Sequence, residues 1–291
     1  MGNISFDCYG LYLYCVIKAE AAPKINDLDV KGIDGFNHLF LVTHGEICGV
    51  VSQVPLAEFG EKVLEENLKK MNWLENKALL HEHILEQVMS VTTIIPMRFC
   101  TIYKNREAVV TVLAENRNRF YTALKQLTGK AEWGVKIFLD SEVLAREIVH
   151  ISDKLQKLDR KIKTLSAGKA FFLKKQMDSL TEEEVDAKAF SYADKCYVRL
   201  RGMVERACLN QLLTKEMTGN PKEMILNSVY LVEEARVGDF LQEVNLLQEE
   251  FGPFGLEFAV SGPWPAYHFC WADQDTTDQG EDGRDQDGGV S

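Results

Sequence analysis

The chain has 291 residues, 46% of them hydrophobic and 26% charged, with a formal net charge of −11. That length and balance suit a globular protein with one large core or two ordinary ones. The acidity excludes general affinity for nucleic acid and for anionic membranes, because both would be repelled.

The opening MGNISFDCYG has no basic stretch leading into an apolar one, so no secretory signal is expected. Phe6 stands where a myristoylation pattern wants Ser or Thr. No apolar run approaches the ~20 residues that span a bilayer. Seven cysteines, an odd number without CxxC spacing, read as buried reduced thiols. A cytoplasmic protein is expected.

Tyr9 to Ile17 (YGLYLYCVI) is aromatic and β-branched and predicts a strand buried on both faces. Phe36 to Thr43 and Ile47 to Ser52 predict two more, joined by a turn at His44-Gly45-Glu46. Leu56 to Lys70 and Asn72 to Ser90 predict helices, the second capped by Asn72. Thr92 to Tyr103 returns to strand character, with Pro96 marking an edge or a bend. Asn105 to Leu127 is helical and ends at Thr128-Gly129-Lys130.

Glu132 to Asp140 predicts a strand, after which Ser141 caps a long helix. Its apolar positions Leu144, Ile148, Ile151, Leu155, Leu158, Ile162 and Leu165 form a heptad seam. Ser166-Ala167-Gly168 reverses the chain into a second helical region, Lys169 to about Lys215, with a possible break near Thr181. The two arms predict an antiparallel hairpin (about 142–215), whose seam closes internally or meets another chain. Met224 to Val232 and Gly255 to Val260 predict strands flanking a helix from Val237 to Glu250, and Pro265 to Trp271 a last edge strand. From Ala272 the chain is Asp, Gln and Gly, with seven acidic residues against Arg284, and predicts disorder.

The fold class is therefore α+β with two domains. Residues 1–130 form an N-terminal mixed α/β domain, and 131–271 a C-terminal modified ferredoxin-like domain carrying the long antiparallel helical hairpin. Residues 272–291 form the acidic tail.

Chemistry-bearing motifs are sparse. The sequence has no GxGxxG, GxxxxGK[ST], GxSxG or HExxH. His81 and His83, two apart on a helix, point about 200° away from each other and cannot share an ion. His81 thus reads as a polar-network residue. Glu182-Glu183-Glu184 and similar runs read as solvated helix surface, and Lys174-Lys175 with Arg199 and Arg201 are too sparse for a nucleic-acid patch. No catalytic residue, cofactor or metal is expected.

Two apolar motifs stand out. TIIPMRFCT (93–101) sets Arg98 beside Phe99 in a hydrophobic run, which calls for a salt-bridge partner or marks a partner anchor. SGPWPAYHF (261–269) stiffens Trp264 between two prolines, with Tyr267 and Phe269 following, and reads as a core plug or a docking surface.

These residues resemble one family. YLYCVI, the block from Trp73-Leu74 through His81-Glu82 to Ile95-Pro96-Met97-Arg98-Phe99, Glu132-Trp133-Gly134-Val135-Lys136, Gly168-Lys169-Ala170-Phe171 with Lys174, and Gly262-Pro263-Trp264-Pro265-Ala266-Tyr267-His268-Phe269 follow the order of motifs in the gas vesicle F/L family. Cys100 departs from the usual glycine, which questions a special backbone angle there, and His268 stands where a small residue is common. The resemblance implies a non-enzymatic assembly protein that contacts the apolar gas vesicle shell protein and other gas vesicle accessory proteins. A minor component of the vesicle wall or tip is the first rival, and a small-molecule sensor or enzyme the remote one.

Overall fold

The structure is a computed structural model that describes residues 8–270. The expectations about the N-terminus and the acidic tail lie outside the described residues. The chain divides into two compact units, one of Met1–Thr128 with Pro265–Ser291 and one of Gly129–Trp264.

In the first unit β1 (Tyr9–Lys18) is the centre of an antiparallel sheet. It pairs along its length with β3 (Ile47–Pro55), which pairs with β2 (Phe40–His44). On its other side it meets β4 (Ile95–Pro96) and β5 (Ile102–Tyr103). Strands alternate faces, so Tyr12 and Tyr14 point one way and Leu13 the other. The tyrosine face packs on Ile84, Leu85 and Val88 of the Met71–Met89 helix. The opposite face receives the Arg106–Glu115 helix: a Cβ built on Gly49 would come 2.8 Å from Leu13 and within contact of Val109 and Leu113. The Arg117–Leu127 helix follows after a break at Asn116.

Several local expectations change here. The strand over Thr92 to Tyr103 shrinks to two dipeptides, because Pro96 has no N–H to extend a ladder and the chain turns at Cys100. The 71–89 helix starts one residue before Asn72 and has no side-chain cap. Asn105 does cap, its Oδ1 accepting the Ala108 N–H at 3.0 Å.

In the second unit β6 (Lys130–Leu139), β7 (Arg206–Leu209), β8 (Glu223–Glu233) and β9 (Leu256–Trp264) form an antiparallel sheet in the order β7-β8-β6-β9. One face is covered by the hairpin arms and the Val237–Phe251 helix, which share a core with Val135, Ile137, Tyr230 and Val232. The first arm is not one helix. It breaks at Ser152, whose Oγ caps the Asp153–Ile162 helix after the Ser141–Ile151 helix has ended. Leu144, Ile148 and Leu155 stay fully buried across the break, but Ile151 swings out to solvent. Asp140, not Ser141, caps the first segment. The second arm runs unbroken through Thr181 as Ala167–Arg201 and stops well short of Lys215. The residues that follow supply β7, which the sequence reading merged into the helix. Arg199 ties the arm to the Val237–Phe251 helix through Glu243 (2.6 Å) and Glu250.

Candidate functional site

The residues singled out from sequence fall into two places. The first is the tyrosine face of the first unit. β1 places Tyr12 there because its alternation faces the Met71–Met89 helix, and that helix places His81 one turn before Ile84 and Leu85. Tyr267 arrives from the short Tyr267–Cys270 helix, whose Phe269 and Cys270 are buried. The Tyr12 hydroxyl lies 2.7 Å from the Cys100 N–H and 3.0 Å from His81 Nδ1, and Tyr267 lies 3.2 Å from both His81 Nε2 and Glu82 Oε1.

One arrangement of protons satisfies every member. Cys100 N–H donates to Tyr12, Tyr12 donates to Nδ1, Nε2–H donates to Tyr267, and Tyr267 donates to the Glu82 carboxylate. Burial pulls the His81 imidazole down to about 4, with the Met97 backbone partly offsetting it, so the ring is neutral at pH 7. Burial likewise pushes the Tyr12 and Tyr267 hydroxyls and the Glu82 carboxyl up. Phe99 closes the cluster edge-on to His81 at 5.6 Å. A second pair sits beside it: Tyr14 accepts from the Ile33 N–H at 2.8 Å and hydrogen-bonds Ser52 Oγ at 2.7 Å. Each hydroxyl and ring nitrogen is engaged in holding chain segments together.

Cys100 answers the question raised by its replacement of glycine. Its φ is +61°, so the special backbone angle is present and a non-glycine residue adopts it. Arg98, whose apolar run called for a salt-bridge partner or marked a partner anchor, is exposed and makes no ion pair among the described residues. The turn at Cys100 directs it to solvent. Its carbonyl is instead taken by the Thr101 hydroxyl at 2.6 Å.

The second place is the open edge of β9 in the second unit. Among the described residues no strand pairs with the outer side of β9, and Val260 and Trp264 are exposed, Trp264 by 38%. Trp264 is therefore no core plug. Pro265 to Cys270 forms no edge strand; Tyr267–Cys270 turns into the short helix of the first unit. Gly262, with φ +129°, sits where a Cβ would come 2.9 Å from the Glu132 carbonyl and 3.2 Å from the Trp133 ring. That glycine lets the strand end bulge past β6 and turn Trp264 outward. Of the five candidates, the structure brings Phe99, Tyr267 and Phe269 into one unit's interior and leaves Arg98 and Trp264 exposed.

Sequence reasoning missed Tyr12 and Glu82 as members of the network. The available signal was two tyrosine hydroxyls on one face of a buried strand, each of which needs a partner.

These features define a class: an α+β protein with two antiparallel sheets and one long helix, with Val260 and Trp264 exposed on the edge strand β9. The family described as "Gas vesicle synthesis protein GvpL/GvpF" matches residues 10–271, and the chain belongs to it. It is similar to gas vesicle protein L of Streptomyces sp. (strain CB03234), 25% identical over 84% of this chain and 88% of that one. It is also similar to gas vesicle protein L1 of Halobacterium salinarum, 26% identical over 90% of each. Among solved structures, the gas vesicle protein GvpF from Anabaena sp. PCC7120 matches with a TM-score of 0.67 at 22% identity, over 90% of this chain and 98% of that one. Among the described residues no helix is long and apolar enough to cross a membrane.

Proposed function

We propose that this protein is a non-enzymatic assembly factor that holds the apolar gas vesicle shell protein, and works with other gas vesicle accessory proteins, before the shell grows. Membership of the gas vesicle family gives the setting. The observation that carries the mechanism is the free edge of β9, with Val260 and Trp264 exposed beside its unpaired backbone. A shell subunit that faces a gas space carries apolar surface that would aggregate unless covered. An edge strand offers backbone hydrogen bonds and an aromatic anchor to such a partner. The strand order β7-β8-β6-β9, with helices after the first and third strands in sequence, supports reading this unit as ferredoxin-like with an enlarged first crossover. Arg98, exposed on the first unit, is the second candidate anchor.

The test is co-purification of tagged protein with the shell protein. Val260→Lys with Trp264→Ala should lower recovery about tenfold, equivalent to about 1.4 kcal/mol, with the melting temperature held. Full recovery by that double variant would sink the β9 reading. Washed vesicles retaining stoichiometric protein would instead favour a wall component.

A further inference from the structure

The free end of the helical hairpin has a charge opposite to that of the chain. Residues 154–175 carry eight basic side chains against Asp159, a net of +7 on a molecule of −11. All eight are exposed. Lys154 pairs with Glu184 at 3.4 Å and Lys163 with Asp159 at 2.7 Å. Lys157, Lys161, Lys169, Lys174 and Lys175 face no carboxylate within ion-pair distance among the described residues.

Between these cations stand Phe171 and Phe172, 66% and 75% exposed, with their rings edge-on at 5.9 Å. Helical spacing sets Lys169 and Lys175 three residues either side of Phe172, and Lys174 and Lys175 three and four after Phe171. The 35-residue Ala167–Arg201 helix also begins here, and Ser166 supplies no side-chain cap. Its first N–H groups add positive potential at the same end.

The extent of the partner follows from the range of these charges. In physiological salt they act over about 8 Å. A nucleic acid or a lipid sheet carries negative charge far beyond that range and is disfavoured by the rest of the chain, which carries −18 once the tip's +7 is set apart from −11. A short acidic segment touches the tip alone. This sequence contains such a segment: residues 271–291 hold seven acidic side chains and Arg284, and begin with Trp271, an aromatic partner for the two phenylalanines.

We propose that the hairpin tip is a docking site for a short acidic polypeptide segment, and that its occupant is residues 271–287 of a second copy of this chain. The contact is salt-sensitive and links copies tail to tip.

The test uses sedimentation velocity on the full chain, with a fluorescent peptide of residues 271–291 as the probe. The full chain should self-associate at about 50 mM NaCl and be monomeric at about 500 mM. Self-association should vanish when residues 272–291 are removed, a change that alters no described residue. Peptide affinity should fall at least about tenfold in K169Q/K174Q/K175Q, whose circular dichroism should match the parent. A full chain that is monomeric at both salt concentrations, or a peptide that binds the triple variant equally well, would overturn the proposal. Capture of the full chain by phosphatidylserine vesicles, lost in the triple variant, would overturn it in favour of a lipid surface. No shell protein is present in any of these assays, so their outcome is independent of the β9 reading.

Discussion

His81 shows how one buried polar residue couples three stretches of chain. It is 1% exposed, and its two nitrogens join β1 to the closing Tyr267–Cys270 turn. Tyr267→Phe removes the hydroxyl that bridges His81 Nε2 and Glu82 Oε1, a loss of about 1–3 kcal/mol in urea unfolding. The imidazole also sets a pH window. Its folded pKa of about 4 lies below the unfolded value near 6.5, so the unfolded chain binds more protons between the two. The associated stability is fully present above about pH 6.5 and is lost as pH falls toward 4. Glu82, raised in the folded state, works in the opposite sense, favouring the folded state as pH falls. His81→Phe should be less stable at pH 7 yet flatter between pH 6.5 and 5. An unchanged slope in that variant would show that His81 does not set the window. Cys100 makes a separate point at this scale. With φ at +61°, Cys100→Val should cost about 1–2 kcal/mol, because a β-branched residue strains there, while Cys100→Gly should hold or raise stability. Equal unfolding free energies for the two variants would contradict that account.

At the scale of elements, the hairpin shows what periodicity reveals and what it conceals. The heptad steps from Leu144 to Leu165 correctly pick out a face that buries Leu144, Ile148 and Leu155. They do not report that the helix stops, because an apolar seam continues across a break whenever both segments pack on the same partner. The signal for the break was chemical: Ser152 followed by Asp153 is an N-cap with an acid in the first turn. The consequence is measurable. Leu155→Ala should cost about 2–5 kcal/mol and Ile151→Ala less than about 0.5. A continuous heptad would make the two costs similar. β1 was legible for the opposite reason, since an unbroken run of buried aromatic and β-branched residues has few other solutions. β7 was not legible: Arg206–Leu209 is four residues long, half-buried at a sheet edge, and too short to carry a period. Trp264 was ambiguous in sequence because prolines stiffen a core plug and a surface anchor alike. Only the sheet order, which leaves β9 at an edge, separates the two.

At the scale of the whole molecule, the chain leaves its first unit at Thr128 and returns to it at Pro265. The return was hidden from sequence because Tyr267 and Phe269, separated in the chain from His81 by the whole second unit, show their partners only in three dimensions. The second unit, Gly129–Trp264, is continuous and holds its own sheet and a core that includes Tyr230, Phe240, Val244 and Phe251. Expressed alone, it should melt cooperatively. Residues 1–128 alone lack the turn that buries Phe269 and satisfies His81. Phe269 burial contributes about 1.5–3 kcal/mol and the hydrogen bond about 1, a large share of the 5–15 kcal/mol typical of a domain. The 1–128 fragment should therefore unfold at a lower urea midpoint than the same fragment carrying residues 265–270 on a flexible Gly-Ser linker. Tyr267→Phe in the linked fragment should give back part of the gain. Identical midpoints for the bare and linked fragments would mean that the closing turn rests on the first unit without stabilising it.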